Sequence, residues 1–185
     1  MSQYAFKFLA RGAIGAVSEF AWPTPRDGQP GEWVEADGPL QACANGVHVC
    51  RAEDLAHWLH EELWVVEADG ELIESVDCVL SARGRLVRQV DAWSSGGAAR
   101  FAHAAREHAA QLVAADASAD RVQLQRLLSD AGKHLPRGAI ALSAFCSAMT
   151  VAFLHGGDHF DEAGYRQERA WQSSFIARDL SLGAG

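Results

Sequence analysis

Three observations predict an α+β fold, with a mainly antiparallel, β-rich first half that carries one short helix and packs against a C-terminal bundle of three to four helices. Apolar residues in the first half alternate with the period of a strand. From about residue 98 onward they recur with the period of a helix. The one clear cluster of small turn residues, Ser94-Ser95-Gly96-Gly97, lies where charge and periodicity both change. The chain is therefore read as a β-rich region over residues 1–93, a linker over 94–97 and a helical region over 98–185, together forming one compact unit.

Tyr4 to Leu9 alternates as a half-buried strand with Tyr4, Phe6 and Phe8 on one face. Pro23, Pro25, Pro30 and Pro39 lack the amide donor that a sheet ladder needs, so the stretch holding them is expected to be an ordered loop or an edge. After the turn signal Asn45-Gly46, Val47 to Cys50 reads as a short strand. Residues 52–60 read as a short helix, with Glu53 and Asp54 in the first turn, where the dipole favours acids. Leu55, Trp58 and Leu59 form its apolar side. Leu63 to Ala68 reads as a strand, and Asp69-Gly70 as a hairpin turn into Glu71-Leu72-Ile73. Residues 78–82 and 86–90 read as further strands, separated by Arg83-Gly84-Arg85.

In the second half, Phe101, Ala105, Ala109 and Leu112 share one face of a first helix. A second helix, over residues 119–131, carries Val122, Leu124, Leu127 and Leu128, with Gly132 as its stop. A third, over 139–154, is apolar nearly all round and is expected to be the most buried. A fourth spans 161–180, with Tyr165, Trp171, Phe175 and Ile176 as its apolar residues.

Composition narrows the function classes. An apolar fraction of 49% and six tryptophans supply a packed core, and the third helix is too short and too diluted by Ser143, Ser147 and Thr150 to span a membrane. Lys7 and Arg11 interrupt the N-terminal apolar residues, so no signal peptide is read and a cytoplasmic location with reduced cysteines is expected. The formal charge of −8 falls on residues 1–93, with 7 basic against 15 acidic side chains, while residues 94–185 balance at 9 against 9. Acidity of this kind disfavours nucleic acid as a partner. The expected partner is a small molecule, in a monomer or a homodimer. Dinucleotide-binding, Walker, nucleophile-elbow and His-Glu-x-x-His signatures do not occur in the sequence.

The densest group of reactive side chains is Cys43-x4-His48-x-Cys50. On a strand His48 and Cys50 face the same side, and thiolates with imidazole are the ligands zinc prefers. The spacing matches no common zinc signature, so no metal is expected; were one held, Cys43, His48, Cys50 and Cys78 would be its ligands. His48 has a second reading as the wall of a cleft, where it can hydrogen-bond a ligand hydroxyl or act as a general acid or base. Trp22 and Trp33 flank the proline loop and are candidate pocket walls beside Cys50. Arg85, in the one basic group of the acidic half, either holds an anion or pairs with a neighbouring acid. The run from His155 to Glu162 offers His159 as a ligand contact, or else Asp158 or Asp161 as the cap of the last helix.

Taken in order, Tyr4-x-Phe6-Lys7-Phe8-Leu9, Phe20-x-Trp22-Pro23-x-Pro25, Cys43-x2-Gly46-Val47-His48-x-Cys50, Leu55-x2-Trp58-Leu59, Glu62-Leu63-Trp64 and Gly84-Arg85-Leu86-Val87-Arg88 resemble a bacterial family of unknown function. Many of its members are actinobacterial, and a phage-associated domain is more loosely similar. The resemblance covers about residues 4–93 and implies a shared fold for that half, with no activity attached. Residues 45–68, with Gly46-x-His48-x-Cys50 on a strand followed by a helix and a strand, are similar to the opening of ADP-ribosyltransferase-like folds, including the RNA 2′-phosphotransferases. That likeness implies His48 as a contact to the ribose of NAD or another nucleotide. The tyrosine-bearing strand of those folds has no counterpart here, and Glu67, Glu71 and Glu74 are the acids available for catalysis, with Glu67 the candidate. The expected function is a small enzyme, or a nucleotide- or small-molecule-binding protein, with its pocket around His48. The alternative is a non-catalytic regulatory or protein-interaction module that uses the C-terminal helices.

Overall fold

A computed structural model of the protein describes residues 2–41, 44–116, 121–157 and 159–183. The first half is an antiparallel five-stranded sheet and the second half is helical, an α+β architecture. Strands β1 (Gln3–Leu9), β4 (Glu62–Glu74) and β5 (Val79–Gln89) pair in that order, with Gln3 opposite Ala68 and Leu9 opposite Glu62. The far edge of β5 carries both β2 (Val34–Glu35) and β3 (Val47–Val49). Cys50, the residue after β3, then exchanges backbone hydrogen bonds with Phe6 of β1, at 2.8 and 2.9 Å. The sheet therefore curls, with β3 held between β5 and β1.

Alternation along the strands divides the apolar residues between the two sides of this curl. Ala5, Leu9, Trp22, Val47, Val49, Trp64, Val66, Val79 and Leu86 cluster on one side. Phe8, Leu63 and Val65 turn to the other and join Trp93, Phe101, Ala105, Ala144 and Ile176 in a core shared by both halves. Trp93 is its centre: it is fully buried, its ring meets Phe8 edge-on at 5.1 Å, and Nε1 donates to the carbonyl of His60 at 2.9 Å.

Two glycines change the strand boundaries that composition suggests. β4 does not turn at Asp69-Gly70; it bulges there, with Gly70 at φ +88, and runs on to Glu74. The hairpin closes later, with Ser75 N–H donating to the carbonyl of Cys78 at 2.9 Å. β5 likewise runs unbroken through Arg83-Gly84-Arg85, where Gly84 pairs with Val34 of β2 and Val47 of β3 packs on it: a Cβ there would stand 2.8 Å from Val47 Cγ1. The segment expected as a helix over 52–60 is a 3₁₀ helix over Ala52–His57, and Arg51 Nε holds Asp54 Oδ2 at 2.6 Å across its first turn.

Ser94 to Gly97, the cluster read as a linker, winds helically with one opened turn at Ser95 and Gly96 and leads into α1 (Ala98–Ala115). Helix α2 (Arg121–His134) runs through Gly132, where the Arg106 side chain lies across the glycine and donates from Nε to the carbonyl of Leu128 at 3.2 Å. Pro136 and the left-handed Gly138 end that run. Helix α3 (Ile140–Gly156) packs against α1, α2 and α4 (Glu162–Asp179). It is buried through its small residues Ser143, Ala144, Ser147, Ala148, Thr150 and Ala152, whereas Leu142 is 52% exposed and Phe145 44% exposed. Close approach to three neighbouring helices selects small side chains. The buried hydroxyls of Ser147 and Thr150 are satisfied by the carbonyls one turn back on the same helix, Ser143 and Cys146. Among the described residues no helix is long and apolar enough to cross a membrane.

Candidate functional site

The residues singled out from the sequence fall into three separate places. The first is the curl of the sheet. His48, half-buried on β3, lends its backbone carbonyl to Lys7, whose Nζ donates to it at 2.5 Å. Burial, and then the charge of Lys7, lower the pKa of His48, so its imidazole is neutral at physiological pH. Lys7 also stands 5.0 Å from the centre of the buried Trp22 ring. Cys50 is buried, its thiol donates to the Phe6 carbonyl at 3.4 Å, and burial pushes its pKa up to about 12. Cys78 is buried too, while Cys43 lies outside the described residues. Among the described residues no three His, Cys, Asp or Glu side chains converge as a metal-ligand set.

The second place is the other face of the long hairpin. Arg85 pairs with Glu67, Nη2 to Oε2 at 2.7 Å, and Arg83 pairs with Asp69 at 2.5 Å. Both guanidinium groups lie over the Trp33 ring, 4.5 and 4.6 Å from its centre. The candidates Glu67, Arg85 and Trp33 are thus brought together, and the arginines are engaged by acids and by the indole. The third place is the α3–α4 connection, which holds His159. There Asp161 caps α4 by accepting from Gly164 N–H at 2.7 Å, with His155 Nδ1 3.9 Å from the same oxygen. Asp158 lies outside the described residues.

None of these three places is the crevice of about 470 Å³ that opens where the ends of β4 and β5 meet the start of α3. Its walls include Arg11, His60, Glu61, Glu62, Gln89 and residues 138–142, over an apolar floor that includes Leu59 and Ala98. The two glutamates build it. Glu62 accepts from the amides of Gly12 (2.9 Å) and Ala13 (3.0 Å) and from Trp64 Nε1 (3.1 Å). Glu61 accepts from the Arg11 amide at 2.9 Å. These bonds pin a turn in which Gly12 and Ala13 both have positive φ, +81 and +58. His60 Nδ1 accepts from the Glu61 amide at 2.9 Å, which leaves the proton of the neutral ring on Nε2. At the opposite wall α3 begins on Ala139, whose side chain supplies no cap.

No family model, curated protein or solved structure matches the chain.

Among the side chains lining the crevice, His60 and the Gln89 amide offer hydrogen-bond donors, while the Arg11 guanidinium pairs with Glu61 Oε1 at 3.5 Å and the Ile140 amide donates to the Gly138 carbonyl at 2.9 Å. That set suits an oxygen-rich ligand. Reading the sequence singled out none of these side chains. His60 follows directly on Leu55-Trp58-Leu59 and precedes two acids, and a histidine between an apolar run and two acids was the available signal.

Proposed function

We propose that this protein binds a small, oxygen-rich molecule of nucleoside or nucleotide size in the crevice between the curled sheet and the start of α3. The crevice itself carries the reading: its volume of about 470 Å³ is that of a small-molecule site, and both halves of the chain contribute to its walls. An anionic end of the ligand would take Arg11 from its exposed pairing with Glu61, while hydroxyl or carbonyl groups meet His60 and Gln89. Isothermal titration of the purified protein with AMP, ADP-ribose, NAD and inorganic phosphate tests the reading. Binding is expected, weakened about two- to tenfold by His60→Ala, the loss of one hydrogen bond. Absence of binding by all four, or equal binding by the variant, overturns it.

One observation favours a second reading, a module that pairs with a second copy of this chain. Leu142, Phe145 and Phe160 are 52%, 44% and 45% exposed, and Phe145, Tyr165, Phe160 and Phe153 form a chain of ring contacts across α3, the α3–α4 connection and α4. Sedimentation of the wild type and Phe145→Glu decides it: a dimer that the substitution dissociates supports pairing, and a monomer at all concentrations rejects it.

A further inference from the structure

We infer that Cys50 and Cys78 are a dithiol pair that hydrogen peroxide closes into a cross-strand disulfide, a modification site separate from the crevice. The register of the sheet puts them together. β3 and β5 run antiparallel with Val47 opposite Ser81, His48 opposite Leu80 and Val49 opposite Val79, so the next residues in line, Cys50 and Cys78, face each other. Residues opposite one another in such a ladder point to the same side of the sheet. Here that is the side away from Val49 and Val79. The backbone bonds fix the kind of pair. Cys50 spends both its amide and its carbonyl on Phe6 of β1, and the Cys78 carbonyl accepts from Ser75 on the β4 side. The two cysteines therefore form a non-hydrogen-bonded pair, where side chains across an antiparallel ladder come closest and Cα atoms stand about 4.5 Å apart. A disulfide accepts Cα separations of about 4.4–6.8 Å.

The residues flanking both cysteines are tied together before any covalent bond forms. Arg51, directly after Cys50, donates from Nη2 to the carbonyls of Ser75 (3.2 Å) and Val76 (3.4 Å). Trp58 Nε1 donates to the carbonyl of Asp77, directly before Cys78, at 2.6 Å. Both thiols are buried, which favours a small uncharged oxidant over a bulky one. Cys146, by contrast, lies on α3 in the helical half.

One sulfur, as its thiolate, attacks a peroxide oxygen; the O–O bond breaks, a sulfenic acid forms, and the hydroxide released takes up the thiol's proton as water. The second sulfur then attacks the sulfenic sulfur, forming the S–S bond and expelling the hydroxyl, which leaves as water with the second thiol's proton. Two thiols and one hydrogen peroxide thus give one disulfide and two waters, the sulfurs losing the two electrons that the peroxide gains. Burial, which raises the Cys50 pKa to about 12, keeps its thiolate scarce, so closure is slow and needs sustained peroxide.

The test exposes the native, intact protein to hydrogen peroxide, blocks the remaining thiols with N-ethylmaleimide in urea, and maps the links by digestion without reductant and mass spectrometry. The protein is expected to lose two hydrogens in mass and two of its four thiols, with the Cys50 and Cys78 peptides joined and both changes reversed by dithiothreitol. Peroxide added in urea is expected to scatter the links among the four cysteines. Cys78→Ala, with an unchanged melting curve, is expected to keep its three thiols out of any internal link. The wild-type map decides the matter even where the variant does not fold. Native links that run to Cys43 or Cys146, a native mixture equal to that in urea, sulfinic acid without a link, or four thiols retained under excess peroxide each overturn the inference.

Discussion

Glu168 on α4 and His108 on α1 meet with Oε2 2.8 Å from Nδ1, and near neutral pH the contact is a hydrogen bond from a carboxylic acid to a neutral imidazole. Burial pushes the carboxyl up to about 8 and pushes the imidazole down, so the acid keeps its proton and donates it. Trp171 stacks on the imidazole with ring centres 3.8 Å apart. Gln172 extends the network, giving Nε2–H to Glu168 Oε1 at 3.2 Å and accepting from Arg169 Nη1 at 2.8 Å. The buried side of α4 is therefore largely polar, held together by mutual hydrogen bonds.

The pair predicts a pH dependence. Folded, Glu168 holds its proton up to about pH 8, whereas an ordinary glutamate releases it near 4.5, so the native state binds more protons in this window and stability falls as pH rises through it. Glu168→Gln keeps a donor toward His108 Nδ1 and cannot titrate. Urea unfolding at a series of pH values is expected to show a flatter curve for the variant between pH 5 and 8. Parallel curves would mean that the buried carboxyl is ionised in the fold.

Glu62 predicts a stability effect at the crevice. Its carboxylate satisfies two amides of a positive-φ turn and one indole N–H. Glu62→Ala leaves all three donors unmatched and is expected to cost about 2–3 kcal/mol, the magnitude of bonds to a charged acceptor. Chemical denaturation measures it; a cost under about 0.5 kcal/mol, the usual range for a surface change, would show that the turn holds itself.

Gly84 predicts a coupled pair. Gly84→Ala drives a methyl against Val47 Cγ1 and is expected to destabilise by about 1–3 kcal/mol through overpacking. Val47→Ala removes the obstructing atom. The double variant should then be more stable than the sum of the single effects by about 1 kcal/mol. Simple additivity in the cycle would place the strain elsewhere.

Helix α3 predicts an inverted tolerance. Phe145→Gln, on the 44% exposed position, is expected to change stability by no more than about 0.5 kcal/mol. Ser147→Leu, at a fully buried position, is expected to cost about 2 kcal/mol or more by overpacking. Thermal unfolding of both variants ranks them, and the reverse order would refute the orientation of the helix.

Much of the local structure is legible in the chain. Alternation at Tyr4–Leu9 and Val47–Val49 marks strands, helical periods mark all four helices to within a few residues, and Asp161 is where a cap is expected and found. The reading fails where a neighbour distant in sequence decides. Gly84 looks like a break between two strands and lies inside one, where Val47, far back in the chain, packs on it. The apolar content of α3 says that a face is buried without saying which, since small residues win when three helices approach closely.

The segment around His48 shows the same division. Its strand, and the shared face of His48 and Cys50, follow from backbone stereochemistry, which acts over a few residues. That the ammonium of Lys7 comes to rest on the His48 carbonyl, 41 residues away, follows only from Cys50 returning to pair with Phe6. The crevice around His60 is likewise made by the Glu62 bonds to the 11–13 turn and by the docking of α3. Sequence by itself determined the elements, because dihedral preference and hydrophobic period are local. Tertiary structure alone decided which polar groups face one another and which keep water, because burial and charge environment depend on contacts that no local pattern encodes.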